Sequence, residues 1–230
     1  MNINYNYINE YLDSLIGNEL TLALTEMRDY AIKNGVPIVS RQVMQFLVTL
    51  LTRHKPKTML EIGTAIGYSA LVCHTACKNI GQELKITTIE KNSEMIYFAE
   101  QNFQKNNASN DIKPMLGDAS DVITELNNTE QKFDFIFLDG AKGQYLSMLP
   151  ILDNMLNTGG VLVCDNVLFS GMVAGDKETR EVEFNPAILK RKRTIIARMK
   201  KFLSAICADP HFVTSIIPLG DGVSISIKTK

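Results

Sequence analysis

Met59-Leu60-Glu61-Ile62-Gly63-Thr64-Ala65-Ile66-Gly67-Tyr68-Ser69 is the stretch whose reading decides the fold. The apolar run 58–62 reads as a buried strand, and the apolar-periodic segment 68–77 reads as a helix. Two glycines join them. A strand that ends in glycine and opens a helix lets the backbone approach a ligand closely, and the helix N-terminus presents unpaired N–H groups there. Nucleotide-like cofactors are held this way in doubly wound α/β folds. The dinucleotide fingerprint Gly-x-Gly-x-x-Gly needs three glycines, whereas this loop has Gly63-x-x-x-Gly67. Alone, the loop is equally a plain strand-to-helix turn.

Outward from that turn the chain is rhythmic. Apolar runs predict strands over 57–62, 84–89, 112–116, 133–138 and 160–165, with helical stretches near 67–79, 92–107, 119–127 and 143–156. Strand alternating with helix implies a parallel sheet covered on both faces. The end differs. Apolar alternation over 211–217 and 223–228 flanks Pro218-Leu219-Gly220-Asp221-Gly222, a hairpin signal, so the sheet is expected to close with an antiparallel last strand. Before the first strand, helices are expected over 5–16, over 18–33 with Asn34-Gly35 as a stop, and from a Ser40 cap to Thr52. Val43, Phe46, Leu47, Leu50 and Leu51 would form the buried face of the third. These helices lie outside the minimal βα pattern and are assigned to covering a cofactor or to self-association. With no repeat or linker in 230 residues, one domain is expected, a helical cover over 1–55 and an α/β core over 56–230.

Hydrophobic residues make up 45% of the chain and charged residues 21%, which supplies a packed core and excludes global disorder. The net charge is −1, so any nucleic-acid contact must come from a local patch. One candidate exists. Lys190, Arg191, Lys192, Arg193, Arg198, Lys200 and Lys201 crowd one segment that has no acidic residue. Ile195, Ile196, Met199, Phe202, Leu203 and Ile206 form the apolar stripe of the same helix, which leaves the cations on its exposed face. That face is either merely solvated or a phosphate-contact surface. Cys73, Cys77, Cys164 and Cys207 lack zinc spacing and read as small core residues in a reducing compartment. His54, His74 and His211 show no ligand spacing. The N-terminus carries no secretory pattern, and no apolar run approaches membrane-spanning length, so a cytoplasmic protein is expected.

Four places carry chemistry. Glu90 ends the second strand about 20 residues beyond the glycine loop, where a carboxylate can accept hydrogen bonds from both ribose hydroxyls of a cofactor. Gly117-Asp118-Ala119 follows the third strand, where a small residue can line an adenine pocket. The fourth strand ends at Asp139 and the fifth at Asp165-Asn166. As sheet neighbours they would bring two carboxylates and one amide oxygen to the ligand crevice. That all-oxygen set suits Mg²⁺ or another hard divalent cation and suits zinc poorly. Each Asp alone is ordinary strand-end capping chemistry; their joint placement carries the reading. Lys142, three residues past Asp139, would have its ammonium form disfavoured by nearby positive charge and could serve as a general base. The loop 167–173 is apolar and contains glycine, and reads either as a water-excluding lid or as packing.

Leu60-Glu61-Ile62-Gly63-Thr64-Ala65-Ile66-Gly67-Tyr68-Ser69, Phe137-Leu138-Asp139-Gly140-Ala141-Lys142 and Asp165-Asn166-Val167-Leu168-Phe169-Ser170-Gly171 together resemble the metal-dependent O-methyltransferases of the caffeoyl-CoA and catechol type. The likeness spans 36–230, with the motifs in order. It implies the class I methyltransferase fold, a Rossmann-like seven-stranded sheet. It implies contacts to S-adenosylmethionine (SAM) at Val39, Glu61, Gly63, Ser69, Glu90, Ala119 and Asp139, a divalent cation on Asp139, Asp165 and Asn166, and Lys142 as base. A homodimer is also implied. Within the family, Lys142-Gly143-Gln144-Tyr145 and the ending Ile217-Pro218-Leu219-Gly220-Asp221-Gly222 are most similar to the branch that methylates 5-hydroxyuridine at the wobble position of bacterial tRNA. One departure stands out. The plant caffeoyl-CoA enzymes carry Asp-x-Asp-Lys where this chain has Asp139-Gly140-Ala141-Lys142, which argues against a coenzyme A ester.

A hydroxyl beside a second oxygen is the acceptor such a site would chelate. A small catechol-like molecule and 5-hydroxyuridine both qualify, and the basic helix favours tRNA. Two readings of other classes compete. An NAD-dependent oxidoreductase would use the glycine loop and Glu90 but leaves Asp139, Asp165 and Asn166 without a task. A nucleic-acid-binding module without catalysis would use only the basic helix.

Overall fold

The computed structural model describes residues 3–17, 20–140, 142–175 and 184–230. Seven strands form one sheet: β1 (Thr58–Ile62), β2 (Lys85–Glu90), β3 (Ile112–Leu116), β4 (Phe133–Leu138), β5 (Leu156–Cys164), β6 (Phe212–Ile217) and β7 (Val223–Lys228). Their order is β3-β2-β1-β4-β5-β7-β6. The first five are parallel, and β7 runs antiparallel to both β5 and β6. This is the Rossmann-like methyltransferase arrangement expected from the sequence. The order reverses between β1 and β4, and the carboxyl ends on either side of that switch point open the crevice where such sheets bind ligands.

Eight helices are described: α1 (Asn6–Leu15), α2 (Leu22–Asn34), α3 (Arg41–His54), α4 (Tyr68–Asn79), α5 (Ser93–Lys105), α6 (Ala119–Asn128), α7 (Tyr145–Met155) and α8 (Pro186–Ala208). Period-two alternation in the central strands divides the core. Met59, Phe135, Phe137, Val161 and Val163 face the layer of α2, α3, α4 and α5. Leu60, Ile136, Leu138, Leu162 and Cys164 face α6, α7 and α8. A one-residue slip would exchange the two sets, so the alternation fixes the register.

Local chemistry sets the helix ends. Ser40 Oγ accepts from the Val43 N–H and starts α3. Gly35, at φ 66°, ends α2 with its N–H on the Ala31 and Ile32 carbonyls. The expected start of the second helix at Asn18 lies outside the described residues. In α3, Met44 joins Val43, Leu47 and Leu51 in full burial, while Phe46 and Leu50 pack partly buried against the same core. The strand after α7 starts at Leu156 rather than at 160. Leu156 pairs with Phe133, and the register then skips to Phe135 with Val161, which leaves 157–160 as a bulge carrying Gly159 at φ 82°.

Three cysteines are buried as expected, but Cys207 is exposed on α8. The histidines are structural. His54 Nε2 lies 3.1 Å from the Asp134 carbonyl oxygen, His74 Nε2 3.0 Å from Asp111 Oδ2, and His211 Nδ1 2.7 Å from Asp153 Oδ2. Among the described residues no helix is long and apolar enough to cross a membrane.

Candidate active site

A cavity of about 780 Å³ opens over the carboxyl ends of the central strands. Its floor is the glycine loop. Gly63 and Thr64 donate to the Ile89 carbonyl at 2.9 and 3.2 Å, and this draws the end of β1 towards the end of β2. Gly63 sits at φ 112°, and a Cβ there would stand 2.6 Å from the Asp139 carbonyl oxygen. Only glycine lets β1 and β4 approach so closely. Glu90 lies on the wall of the cavity. Its Oε2 accepts from the Ala65 N–H at 3.1 Å, and its Oε1 accepts from the Lys91 and Asn92 N–H groups at 3.0 Å each. The carboxylate therefore ties the glycine loop to the end of β2 while it faces the ligand space.

Of the residues singled out in the sequence, Val39, Gly63, Glu90, Ala119, Asp139, Lys142, Asp165 and Asn166 all line this cavity. Glu61 and Ser69 do not. Both are buried behind the glycine loop, where Ser69 Oγ donates to Glu61 Oε1 and Thr88 Oγ1 donates to Glu61 Oε2, each at 2.5 Å. Since the Thr88 proton goes to Glu61, Thr64 donates to Thr88 Oγ1 at 2.6 Å. The network braces the loop from beneath. Burial pushes the Glu61 carboxyl up to about 7, against the hydrogen bonds from Ser69 and Thr88. A carboxyl whose folded value exceeds its ordinary 4.5 takes stability away as pH rises through that window. The stability of Glu61→Gln relative to wild type is therefore expected to rise by about 3 kcal/mol between pH 4.5 and pH 8. Urea denaturation of both proteins across that range checks this; a difference that does not vary with pH would contradict it.

Beside the glycine loop, Asp139 and Asp165 stand at the ends of β4 and β5. The Asp139 N–H donates to the Ile62 carbonyl at 2.9 Å and the Asp165 N–H to the Leu138 carbonyl at 3.0 Å, which sets the two residues side by side. The Tyr145 hydroxyl pins the same ends, donating towards the Leu138 and Asp165 carbonyls at 3.0 and 3.2 Å. Burial raises both carboxyls well above the ordinary range. The negative charge of Asp139 raises Asp165 further, Asp221 raises both, and Lys142 opposes the rise. Asn166 follows at φ 58°, with its N–H on Asp165 Oδ1 at 2.6 Å. Its side-chain Oδ1 is buried and, among the described residues, has no hydrogen-bond partner. Two crowded carboxylates and an orphaned amide oxygen are a donor set that a hard divalent cation would satisfy. No cluster of three His, Cys, Asp or Glu ligands forms among the described residues. Such an ion would have positions left for water or substrate.

Reading the sequence alone missed Gly220 and Asp221, which also line the cavity, together with Ile195 of α8. The hairpin signal was legible, but nothing local told where its turn would point. The loop 167–173 packs against the core through Leu168 and Phe169. None of its residues lines the cavity, and Val167, Met172 and Val173 are buried.

The family model described as O-methyltransferase matches residues 16–229. The chain belongs to that family. Among curated relatives of this O-methyltransferase, caffeoyl-CoA O-methyltransferase of Populus kitakamiensis is 31% identical, over 79% of this chain and 74% of the relative. The Medicago sativa protein of the same name is 28% identical, over 90% and 82%. Among solved structures, a Staphylococcus aureus protein provisionally named caffeoyl-CoA O-methyltransferase is 27% identical, with TM-score 0.79 over 96% of this chain and 97% of that one. The S-adenosylhomocysteine-bound methyltransferase PaMTH1 of Podospora anserina shares the fold at 22% identity, with TM-score 0.82 over 99% and 98%.

Proposed function

We propose that this O-methyltransferase uses SAM and a divalent cation to methylate the 5-hydroxyl of 5-hydroxyuridine in tRNA. The observation that carries the chemistry is the shared cavity, lined by the glycine loop and Glu90 together with Asp139, Asp165, Asn166 and Lys142. PaMTH1 holding S-adenosylhomocysteine supports the choice of donor. SAM supplies a methyl group on a sulfonium, which leaves as a neutral thioether. Asp139, Asp165 and Asn166 would hold a hard divalent cation such as Mg²⁺, which would supply Lewis-acid lowering of a hydroxyl's pKa.

The chain's own residues do the rest. Glu90 holds the ribose hydroxyls, while Ala119 and the Gly117 backbone border the adenine. Ile89 and Ile195 give the cavity apolar wall. Lys142 takes the proton that the hydroxyl loses as its oxygen gains the methyl group. Since the displacement is in line, orientation supplies most of the rate.

Support for tRNA comes from α8. Its residue Ile195 lines the cavity, which places the helix at the cavity's edge. Three of the cations are engaged with the protein. Arg198 donates to the Gly143 carbonyl at 3.3 Å, Lys200 donates to the Gly175 carbonyl at 3.1 Å, and Lys192 lies 5.6 Å from the centre of the Phe169 ring. Lys190, Arg191, Arg193 and Lys201 remain exposed, on a helix that fits a phosphate backbone. Replacing these four by Gln is expected to weaken tRNA binding and to flatten its salt dependence by about four in the log–log slope. Filter binding across salt concentrations measures this, and an unaltered slope would remove α8 from the interface. Labelled SAM offered with Mg²⁺ and either tRNA lacking the modification or a small catechol tests the acceptor. The names of the relatives favour the catechol-like or caffeoyl-type alternative, and label in the catechol alone would establish it.

We also assign a homodimer to this protein. Tyr5, which precedes α1, and Tyr7, Tyr11 and Leu15 on it are each more than 60% exposed, a surface suited to a second copy. Sedimentation is expected to give a dimer that Tyr7→Glu with Tyr11→Glu dissociates; a monomeric wild type would remove the assignment.

A further inference from the structure

The turn between β6 and β7 reaches the cavity, and the reaction as described gives it no task. Its placement is firmly built. The Val167 N–H donates to the Gly222 carbonyl at 2.9 Å and the Leu168 N–H to the Asp221 carbonyl at 3.1 Å, which stitches the turn to the segment after Asn166. Gly222, at φ 89°, packs so tightly that a Cβ would stand 2.5 Å from Leu168 Cγ. A Cβ on Gly220, at φ 57°, would stand 3.1 Å from a Val43 methyl carbon and 3.3 Å from Ser40 Oγ. The turn is wedged between the start of α3 and the loop beyond β5. Asp221 projects from it into the cavity wall. One of its oxygens, Oδ1, accepts from Ser170 Oγ at 3.1 Å. Among the described residues no lysine, arginine or histidine pairs with it.

We propose that Asp221 is a specificity-determining residue, a fixed negative charge beside the chelating end of the cavity that rejects methyl acceptors carrying a carboxylate next to the reacting ring. This deepens the proposed function and rests on its chelation reading. A divalent ion would offset Asp139 and Asp165, its own ligands, and would leave Asp221 without a counter-charge. An acceptor with a neutral ring meets no opposing field there. An anionic ring meets repulsion that a part-buried position screens only in part. In tRNA a uracil ring is neutral while the phosphates lie outside, so the filter and a basic rim are compatible.

The test uses two probes of one shape, 3,4-dihydroxybenzamide and 3,4-dihydroxybenzoate. Their binding to protein loaded with Mg²⁺ and S-adenosylhomocysteine is measured by calorimetry. Wild type is expected to prefer the amide by about tenfold at low salt, and less as salt rises. Asp221→Asn keeps an oxygen for Ser170 and removes the charge, and is expected to bring the two affinities within about twofold. Ser170→Ala loosens the side chain but keeps the charge, and is expected to retain most of the preference. If both probes bind and Asp221→Asn leaves their ratio unchanged, Asp221 is not the filter. If neither probe binds, the chelation reading fails and this inference fails with it.

Discussion

Asp165→Ala is expected to lower methyl transfer at least about 10³-fold while the protein still unfolds cooperatively and still binds SAM. The separation follows from the geometry. Asp165 is 3% exposed at the end of β5, across the cavity from Glu90, and its electrostatic neighbours are Asp139, Lys142 and Asp221. Removing it takes one of two charged oxygens from the proposed cation site and relieves crowding between buried carboxylates, so stability need not fall. Initial rates with labelled SAM, set beside thermal shifts with S-adenosylhomocysteine, read the two effects independently. Dialysis against EDTA is expected to act likewise on wild type, with activity returning on Mg²⁺ addition. A variant that turns over at near-normal rate would remove the cation from the reaction.

Lys142→Met is expected to lower the rate by about 10²–10⁴-fold with little change in the affinity for SAM. Lys142 lies on the cavity wall in the turn that leads into α7, close enough to Asp139 and Asp165 for its charge to act on both carboxyls. Among the described residues, the other lysine that lines the cavity is Lys91, which is exposed beyond Glu90. Met keeps the length of the stem and loses the proton acceptor. If Lys142 only shaped the turn, Lys142→Arg would preserve activity; as base, Arg cannot accept the proton and the rate should stay low. Stopped-time assays over a pH series on the three proteins separate these outcomes.

Much of the fold was legible because its signals are local. The strand-to-helix glycine turn, the repeated βα rhythm and the Asp-Gly hairpin each depend on a few adjacent residues. The cavity residues at strand ends were legible for a related reason: in a parallel sheet every carboxyl end faces the same crevice, so naming the strand names the location. What local pattern does not show depends on long-range packing. Glu61 and Ser69 belong to the central motif, yet they point away from the ligand space into a hydroxyl network completed by Thr88, 27 residues from Glu61. Asp221 looked like turn chemistry because its neighbours in space, Leu168 and Ser170, are far away in sequence. The bulge at 157–160 is set by how β5 must meet β4, which no local pattern records.

The central claim is that one cation and one sulfonium donor share this cavity. Crystals grown with Mn²⁺ and S-adenosylhomocysteine and measured at the manganese absorption edge test it most directly. A single anomalous peak bound by Asp139, Asp165 and Asn166, beside a nucleoside whose ribose meets Glu90, is the predicted result. Ordered S-adenosylhomocysteine with no peak between those three side chains would contradict it.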